Sequence, residues 1–209
     1  ACVPFGMVQA VPQTGNYTWV YTGGYQYTDS IIYGFAQTRI NGTGISDLGD
    51  LLMLPFTGNA VRESYQSSYE KKNQTATPGY YSVVLSDFDI KAEMTAAAHT
   101  TMHKYSFSDK EQTRLLIDFQ NGGVNSHREF FTHVIDAEQN FESPTLITGY
   151  SHKKVWIERT YYYAIEFSKP YVTKTMLPLR DSAEKAHRYV FDFDLKPGEQ
   201  LMVKVALSS

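Results

Sequence analysis

Cysteine and long apolar runs are nearly absent from this sequence, and each absence limits what the protein can be. Cys2 is the single cysteine, which excludes an internal disulfide framework. No run of about 18 apolar residues occurs, so the sequence contains no candidate for a membrane-spanning helix. The chain also begins without a methionine and without a basic and then apolar signal peptide. We therefore expect a mature fragment or an excised domain, and the missing signal does not favour the cytoplasm.

The sequence also lacks a large excess of either positive or negative charge. The 209 residues carry a formal net charge of −3 and no basic block, which argues against a nucleic-acid partner. His99 and His103 lack the glutamate of a zinc-protease helix, and on a strand they would lie about 13 Å apart, too far for one metal ion. Neither a Gly-x-Ser-x-Gly elbow nor another complete catalytic set is present. The residues alone therefore predict no catalytic centre and no metal centre.

Aromatic residues are abundant instead, with 16 tyrosines, and polar and apolar residues alternate along most of the chain. This period-two pattern, broken by turns such as Asn121-Gly122-Gly123 and Lys196-Pro197-Gly198, predicts many short strands. The predicted strands cover 79–87, 90–107 (as a pair), 113–120, 128–136, 145–152, 154–171, 188–195 and 200–207, and residues 181–189 form at most a helical turn. The sequence lacks a linker and a βαβ rhythm. We predict an all-β fold, a single antiparallel β-sandwich over residues 1–209 with long irregular loops in the first 60 residues.

Two segments of that irregular region carry candidate binding residues. "WVYTGGYQYTDS", residues 19–30, places aromatic rings beside Asp29, which suits stacking against a sugar ring and hydrogen bonding to its hydroxyls. "GFAQTRINGTGISDLGDLLMLP", residues 34–55, is glycine-rich and offers Asp47 and Asp50, so its backbone can approach a ligand closely. It is neither a P-loop nor an EF-hand loop. A tyrosine-bearing hairpin and a structural turn remain the alternatives for the two segments.

The "FDFD" segment holds two further carboxylates. Asp192 and Asp194 share one face of a predicted strand, opposite Phe191 and Phe193. The simplest interpretation is a solvent-facing pair on a strand whose other face is buried. A glycosidase needs two carboxylates across the bond that it breaks, and this pair is a poor candidate for that role.

Several stretches together resemble glycoside hydrolase family 92, a family of bacterial exo-acting α-mannosidases. The segments that carry the resemblance are "VPFGMVQAVP", "TGGYQYTDSIIYGFAQTRINGTGISDLGDLLMLP", "ATPGYYSVVLSDFDIKAEMTA" and "HKYSF", in that order along the chain. They lie within residues 3–105, and the remaining strands are compatible with the same family. The resemblance extends to essentially the whole chain.

The resemblance implies a fold and a role. It implies a large, supersandwich-like N-terminal β-sandwich, excised here from a longer chain whose C-terminal (α/α)₆ catalytic barrel is absent. The full enzyme is expected to hydrolyse α-mannosidic bonds with inversion, to need Ca²⁺ and to be exported to the periplasm or cell surface. The general acid, the general base and most calcium contacts belong to the barrel, so this domain alone is expected to be inactive. The expected partners are that catalytic domain and α-mannosides or mannose-containing glycans, N-glycans included.

The resemblance also assigns candidate substrate-binding residues, because the sandwich lends loops to a sugar pocket between the two domains. The candidates at matching positions are Tyr25, Asp29, Gly42, Thr43, Gly44, Asp47 and Asp50. Trp19 is added as a stacking platform near the same rim, and Arg39 as a departure that could bind a substrate group. The sequence departs from the commoner family pattern, in which histidines stand at the positions of Gln26, Gln37 and Arg39. Arg39 is a fixed cation that could pair with Asp47 or bind a substrate group.

Two other functions remain open. The chain could be a free-standing carbohydrate-binding or adhesion sandwich without catalysis, since aromatic-rich sandwiches serve that purpose. It could also be a scaffold whose loops only stabilise a catalytic barrel, with Asp47 and Asp50 making turn and seam hydrogen bonds.

Overall fold

The computed structural model of the chain describes residues 1–15, 22–40, 47–108, 112–122, 133–180 and 185–209, and nearly all of its regular structure is strand. The strands are β1 Val11–Gln13, β2 Ile31–Ile32, β3 Gly34–Ala36, β4 Leu52–Thr57, β5 Ser67–Ser68, β6 Gln74–Thr77, β7 Tyr80–Leu85, β8 Ile90–Ala96, β9 Thr100–Phe107, β10 Thr113–Asp118, β11 His133–Ser143, β12 Leu146–Lys154, β13 Glu158–Phe167, β14 Tyr171–Met176, β15 Arg188–Phe193 and β16 Gln200–Ser208. A short 3₁₀ turn spans Lys71–Asn73. No helix in these described ranges is long and apolar enough to cross a membrane.

Two antiparallel sheets form the sandwich. One has six strands in the order β1-β3-β4-β10-β15-β14, and the other has eight in the order β11-β12-β13-β16-β9-β8-β7-β6. β2 and β5 pair as a separate two-stranded ribbon within the irregular first third. The all-β sandwich predicted from the alternation is therefore confirmed.

The core lies between the sheets because the alternating apolar residues of each strand point the same way. In β16, Leu201, Val203, Val205 and Leu207 are buried, whereas Lys204 between them is exposed. Aromatic rings join the layers, and Phe167 of β13 packs against Phe191 and Phe193 of β15 with ring centroids 5.6 and 5.3 Å apart. Such ring pairs add to the stabilisation that burial alone provides.

Most predicted strands have their counterparts within a few residues, but two predictions were wrong in their extent. The strand predicted over 128–136 continues to Ser143 in β11. The single strand predicted over 154–171 is interrupted by a turn, so that β12 ends at Lys154 and β13 begins at Glu158. The apolar residues Trp156 and Ile157 made this turn look like a strand, yet they are about half exposed at the tip of the hairpin. Residues 128–132 of one predicted strand and 181–184 of the predicted helical turn lie outside the described residues.

Candidate functional site

Five of the nine candidate residues lie in described segments, and they fall into two groups with different contacts. Arg39, Asp47 and Asp50 belong to the connection between β3 and β4, and Tyr25 and Asp29 belong to the loop that precedes β2. Trp19, Gly42, Thr43 and Gly44 lie outside the described residues.

Asp47 fastens this connection to the β12–β13 hairpin. Its Oδ2 accepts the backbone N–H groups of Trp156 and Ile157 at 3.2 and 3.1 Å, and its Oδ1 accepts Nη1 of Arg159 at 3.0 Å and the N–H of Leu48 at 2.6 Å. The carboxylate is fully buried. Two donors reach each carboxylate oxygen of Asp47. This side chain therefore positions the hairpin.

Asp50 is the centre of a buried charge cluster, which we define as Asp47, Asp50, Lys153 and Arg159. Lys153 Nζ lies 3.0 Å from Asp50 Oδ1, and Arg159 Nη2 donates to the same carboxylate at 3.1 and 3.3 Å. The hydroxyl of Thr38 donates to Asp50 Oδ2 at 2.8 Å and accepts the N–H of Asp50 at 2.9 Å. The cluster therefore joins the β3–β4 connection to both strands of the hairpin.

The electrostatics of the cluster favour the charged forms of Asp50 and Arg159, whereas burial lowers the pKa of Lys153. Burial alone would raise the pKa of Asp50, but Lys153 and Arg159 outweigh that effect and lower it. Burial opposes the charge on Arg159 as well, yet Asp50 and Asp47 raise its pKa above the ordinary value. A carboxylate stabilised in this way is a poor proton donor at neutral pH.

A third loop, which follows β10, closes against the same cluster. Lys153 Nζ donates to the carbonyl of Asn121 at 2.6 Å, and the Asn121 side-chain amide donates to the carbonyl of Gly49 at 2.6 Å. Gly122 has a φ of +135°, and a Cβ there would lie 2.6 Å from Oδ1 of Asp50. Only glycine fits at this position, because any side chain would collide with the carboxylate.

The backbone around Asp50 is strained. The many contacts of Asp47 and Asp50 keep it in this conformation. Leu48 and Leu51 have φ values of 61° and 52°, and Gly49 between them has +81°. For non-glycine residues this region costs about 1–3 kcal/mol each and persists only where the surroundings enforce it. The contacts of Asp47 and Asp50 supply that enforcement.

Arg39 lies beside the cluster, between two glycines. A Cβ on Gly24 would lie 2.7 Å from its Nε, and one on Gly49 would lie 2.9 Å from its Cζ. Its Nη2 donates to Oε1 of Gln13, and among the described residues Arg39 forms no ion pair with Asp47. Burial lowers the pKa of Arg39 to about 10, with Asp50 opposing the shift. The pairing with Asp47 suggested by the sequence is thus made by Arg159 instead.

Tyr25 and Asp29 surround a lysine that the sequence analysis did not select. Lys71 Nζ donates to the carbonyl of Asp29 and to the hydroxyl of Tyr69, both at 2.5 Å. It also lies 5.3, 5.2 and 4.3 Å from the ring centroids of Tyr25, Tyr27 and Tyr69. The ammonium group is therefore held by cation–π contacts, and the ring of Tyr27 stays largely exposed.

Sequence reasoning missed Lys71, Lys153 and Arg159 because no local signal marks them. Arg159 stands 112 positions after Asp47 and looked like an ordinary strand residue. Lys153 is fully buried, although a lysine in an alternating strand is normally predicted to face solvent.

Comparison with known proteins gives the family. The profile of the glycosyl hydrolase family 92 N-terminal domain matches residues 1–208. The chain belongs to this family. Comparison with curated protein sequences returns no match.

Solved structures of family 92 share the architecture. A family 92 α-mannosidase of Bacteroides thetaiotaomicron, solved in complex with mannoimidazole, is 28% identical with a TM-score of 0.86, covering 99% of this chain and 30% of that one. An inverting family 92 mannosidase of the same organism is 23% identical, with a TM-score of 0.79 over 99% of this chain and 28% of the other. This chain therefore spans less than a third of the length of these solved chains.

The resemblance led us to expect histidines at the positions of Gln37 and Arg39, and the two side chains lie in different surroundings. Oε1 of Gln37 accepts Thr101 Oγ1 at 2.5 Å and is 2.9 Å from Nε2 of His103, while its Nε2 donates to the carbonyl of Phe35 at 3.1 Å. Gln37 is thus fully committed to the core. Arg39 lies among the candidate loops, as does Gln26 in the loop that precedes β2.

Proposed function

We propose that this chain is the N-terminal domain of an exported, calcium-dependent, inverting exo-α-mannosidase. In this proposal it packs on a C-terminal catalytic barrel and forms one rim of the sugar pocket. Family membership and the family 92 α-mannosidase at 28% identity support it. The proposed substrates are α-mannosides or mannose-containing glycans, and the proposed location is the periplasm or cell surface.

The observation that carries the proposal is the charge cluster at one end of the sandwich. It holds three loops in one arrangement and keeps Trp156 and Ile157 exposed at 48% and 46% beside it. Exposed apolar side chains beside ordered polar loops are typical of a surface that packs against another domain. The cluster itself is buried, so we infer that Asp47 and Asp50 position this edge. Direct sugar contact by the nine candidates stays a prediction.

The described residues do not supply a hydrolytic pair at this end. Inversion requires a general acid and a general base about 6.5–9.5 Å apart, with the acid protonated at working pH. Asp47 and Asp50 are ion-paired within the domain, and the pKa of Asp50 is lowered. The catalytic groups in our proposal come from the barrel.

We propose that calcium is likewise held by the other domain. Among the described residues no group of three or more His, Cys, Asp or Glu side chains is arranged to hold a metal ion. The carboxylates that would be the natural ligands, Asp47 and Asp50, already bind Arg159. These residues do not fit a calcium site, and the proposed calcium dependence belongs to the other domain.

Hydrolysis of an aryl α-mannoside by the intact protein that contains this chain, and by the 209-residue chain alone, tests the proposal. We expect activity in the intact protein, loss of that activity with a calcium chelator, and none in the chain alone. Inactivity of both proteins would contradict the proposal. Retained sugar binding in that case would support a carbohydrate-binding sandwich without catalysis.

A further inference from the structure

A cavity of about 480 Å³ opens at the end of the sandwich opposite to the charge cluster. It is bounded by the end of β9, the start of β10 and the loop between β15 and β16. β10 begins at the cavity with Thr113 and Arg114 and ends at Asp118, next to the third loop of the candidate site. At about 3.4 Å per residue the two ends lie roughly 17 Å apart, so this cavity is separate from the candidate site.

Polar groups form the floor of the cavity. Arg114 is 8% exposed, and its Nε donates to Oδ1 of Asp192, whose Oδ2 accepts the hydroxyl of Thr173. Nη1 of Arg114 and Oγ of Ser108 are both buried without a hydrogen-bond partner in the described part of the chain. Buried polar groups are normally satisfied, so this floor has hydrogen-bonding capacity that the protein itself does not use.

The charges around the cavity exclude two ligand classes. Asp192 compensates Arg114, Glu199 is ion-paired with Lys169 at 2.7 Å, and the other charged side chains of the described lining are Lys196 and Asp194. The described lining therefore has no excess of cations, which disfavours a phosphate or another multivalent anion. Within the described ranges no His, Cys, Asp or Glu group is suited to a metal ion.

Apolar side chains complete the cavity. Phe107 and Leu195 pack against the core and line the cavity, and Val172 stands at its mouth with 66% exposure. Apolar walls with a few polar groups are typical of small-molecule sites, which range over about 300–1,000 Å³. Donors, acceptors and apolar surface together suit a molecule with hydroxyls along its edge and C–H groups on its face.

We propose that this cavity is a second binding site, for a small neutral saccharide. A sugar hydroxyl supplies the missing acceptor for the Arg114 guanidinium and donates to Asp194. The ring face packs on Phe107 and Val172. The site holds its ligand without cleaving it and does not depend on the proposed hydrolysis.

Methyl NMR of the intact protein that contains this chain tests the proposal, with the methyl groups of Val172 and Leu195 as reporters. The probes are methyl α-D-mannopyranoside, methyl β-D-glucopyranoside and inorganic phosphate. We expect at least one glycoside to shift both reporters with a Kd in roughly the millimolar range, and phosphate to leave them unchanged. Shifts caused by phosphate alone, or no shift with either glycoside, would overturn the proposal.

Two variants sharpen the result. Val172→Trp fills the mouth of the cavity and is expected to weaken glycoside binding at least about tenfold, read at Leu195. Val61→Trp is the matched control, because Val61 is similarly exposed at 62% and does not line the cavity. Arg114→Lys keeps the charge opposite Asp192 but removes the planar donors, so it should weaken binding while the protein stays folded. Unchanged binding in both Val172→Trp and Arg114→Lys would refute the assignment.

Discussion

Arg159 donates from Nη1 to Oδ1 of Asp47 across 3.0 Å, although 112 positions separate the two residues in the chain. The contact joins the six-stranded sheet's β3–β4 connection to the hairpin of the eight-stranded sheet. The side chain of Arg159 is largely buried and that of Asp47 is fully buried. Removing either partner would leave the other charge buried without its counter-ion, which is destabilising. This pair determines how the edge of the candidate site is arranged.

Replacing Asp47 with asparagine tests that role. The variant keeps the size of the side chain but removes one negative charge opposite Arg159, which retains only Asp50. We expect the free energy of unfolding to fall by about 1–3 kcal/mol, measured by urea denaturation of the 209-residue chain. Asp89→Asn, at an exposed position, is the control and should change stability by less than about 0.5 kcal/mol. Equal stability of the Asp47 variant and the wild type would contradict a positioning role.

Gly49→Ala tests the packing of Arg39. A Cβ at Gly49 would lie 2.9 Å from Cζ and Nη1 of Arg39, in addition to the strain of a φ of +81°. Gly58→Ala is a close control, since Gly58 has a φ of +88° and a Cβ added there would have no other atom within 4 Å. We expect Gly58→Ala to cost about 1–2 kcal/mol from strain alone and Gly49→Ala clearly more. Equal losses of unfolding free energy would show that Arg39 does not pack against Gly49.

Stability should fall in acid because of His103. Burial lowers the pKa of this fully buried imidazole to about 3, whereas it titrates at its ordinary 6.5 when unfolded. Below pH 6.5 the unfolded chain binds a proton that the folded chain excludes. The contribution of His103 is therefore complete above that pH and is lost progressively down to about 3, by at most about 1.4 kcal/mol per pH unit.

The measurement is the unfolding free energy at several pH values between about 7 and 5, where carboxylates contribute little. His103→Gln should flatten the slope, because glutamine does not titrate. The same slope in His103→Gln and the wild type would contradict the assignment.

Trp156→Ala tests the proposed domain interface. Trp156 is 48% exposed, so its loss should lower the stability of the 209-residue chain by only about 1–2 kcal/mol. In the intact protein we expect kcat/KM on an aryl α-mannoside to fall at least about tenfold, equivalent to about 1.4 kcal/mol. Val61→Ala provides an exposed apolar control away from the hairpin. Wild-type kinetics of Trp156→Ala would argue that the hairpin tip does not contribute to the pocket.

The period-two pattern was enough to predict the sheets, because alternation directly reflects which face of a strand is buried. It failed at residues 155–157, where apolar side chains stay exposed at a hairpin tip and the pattern cannot distinguish a turn from a strand. β14 was not predicted as a strand either, since its residues Tyr171–Met176 are mostly exposed and show little alternation. Its position at the edge of the six-stranded sheet explains the weak signal.

By itself the sequence determined the β-sandwich class, the irregular first third and the family, because these follow from local patterns and from motifs that are contiguous in the chain. The tertiary structure alone decided the partners of Asp47 and Asp50 and the burial of Lys153. It also decided the packing of Arg39 between Gly24 and Gly49, and the cavity beneath Val172. Each of these depends on residues far apart in sequence that the sheet order brings together, and no local pattern encodes such a pairing.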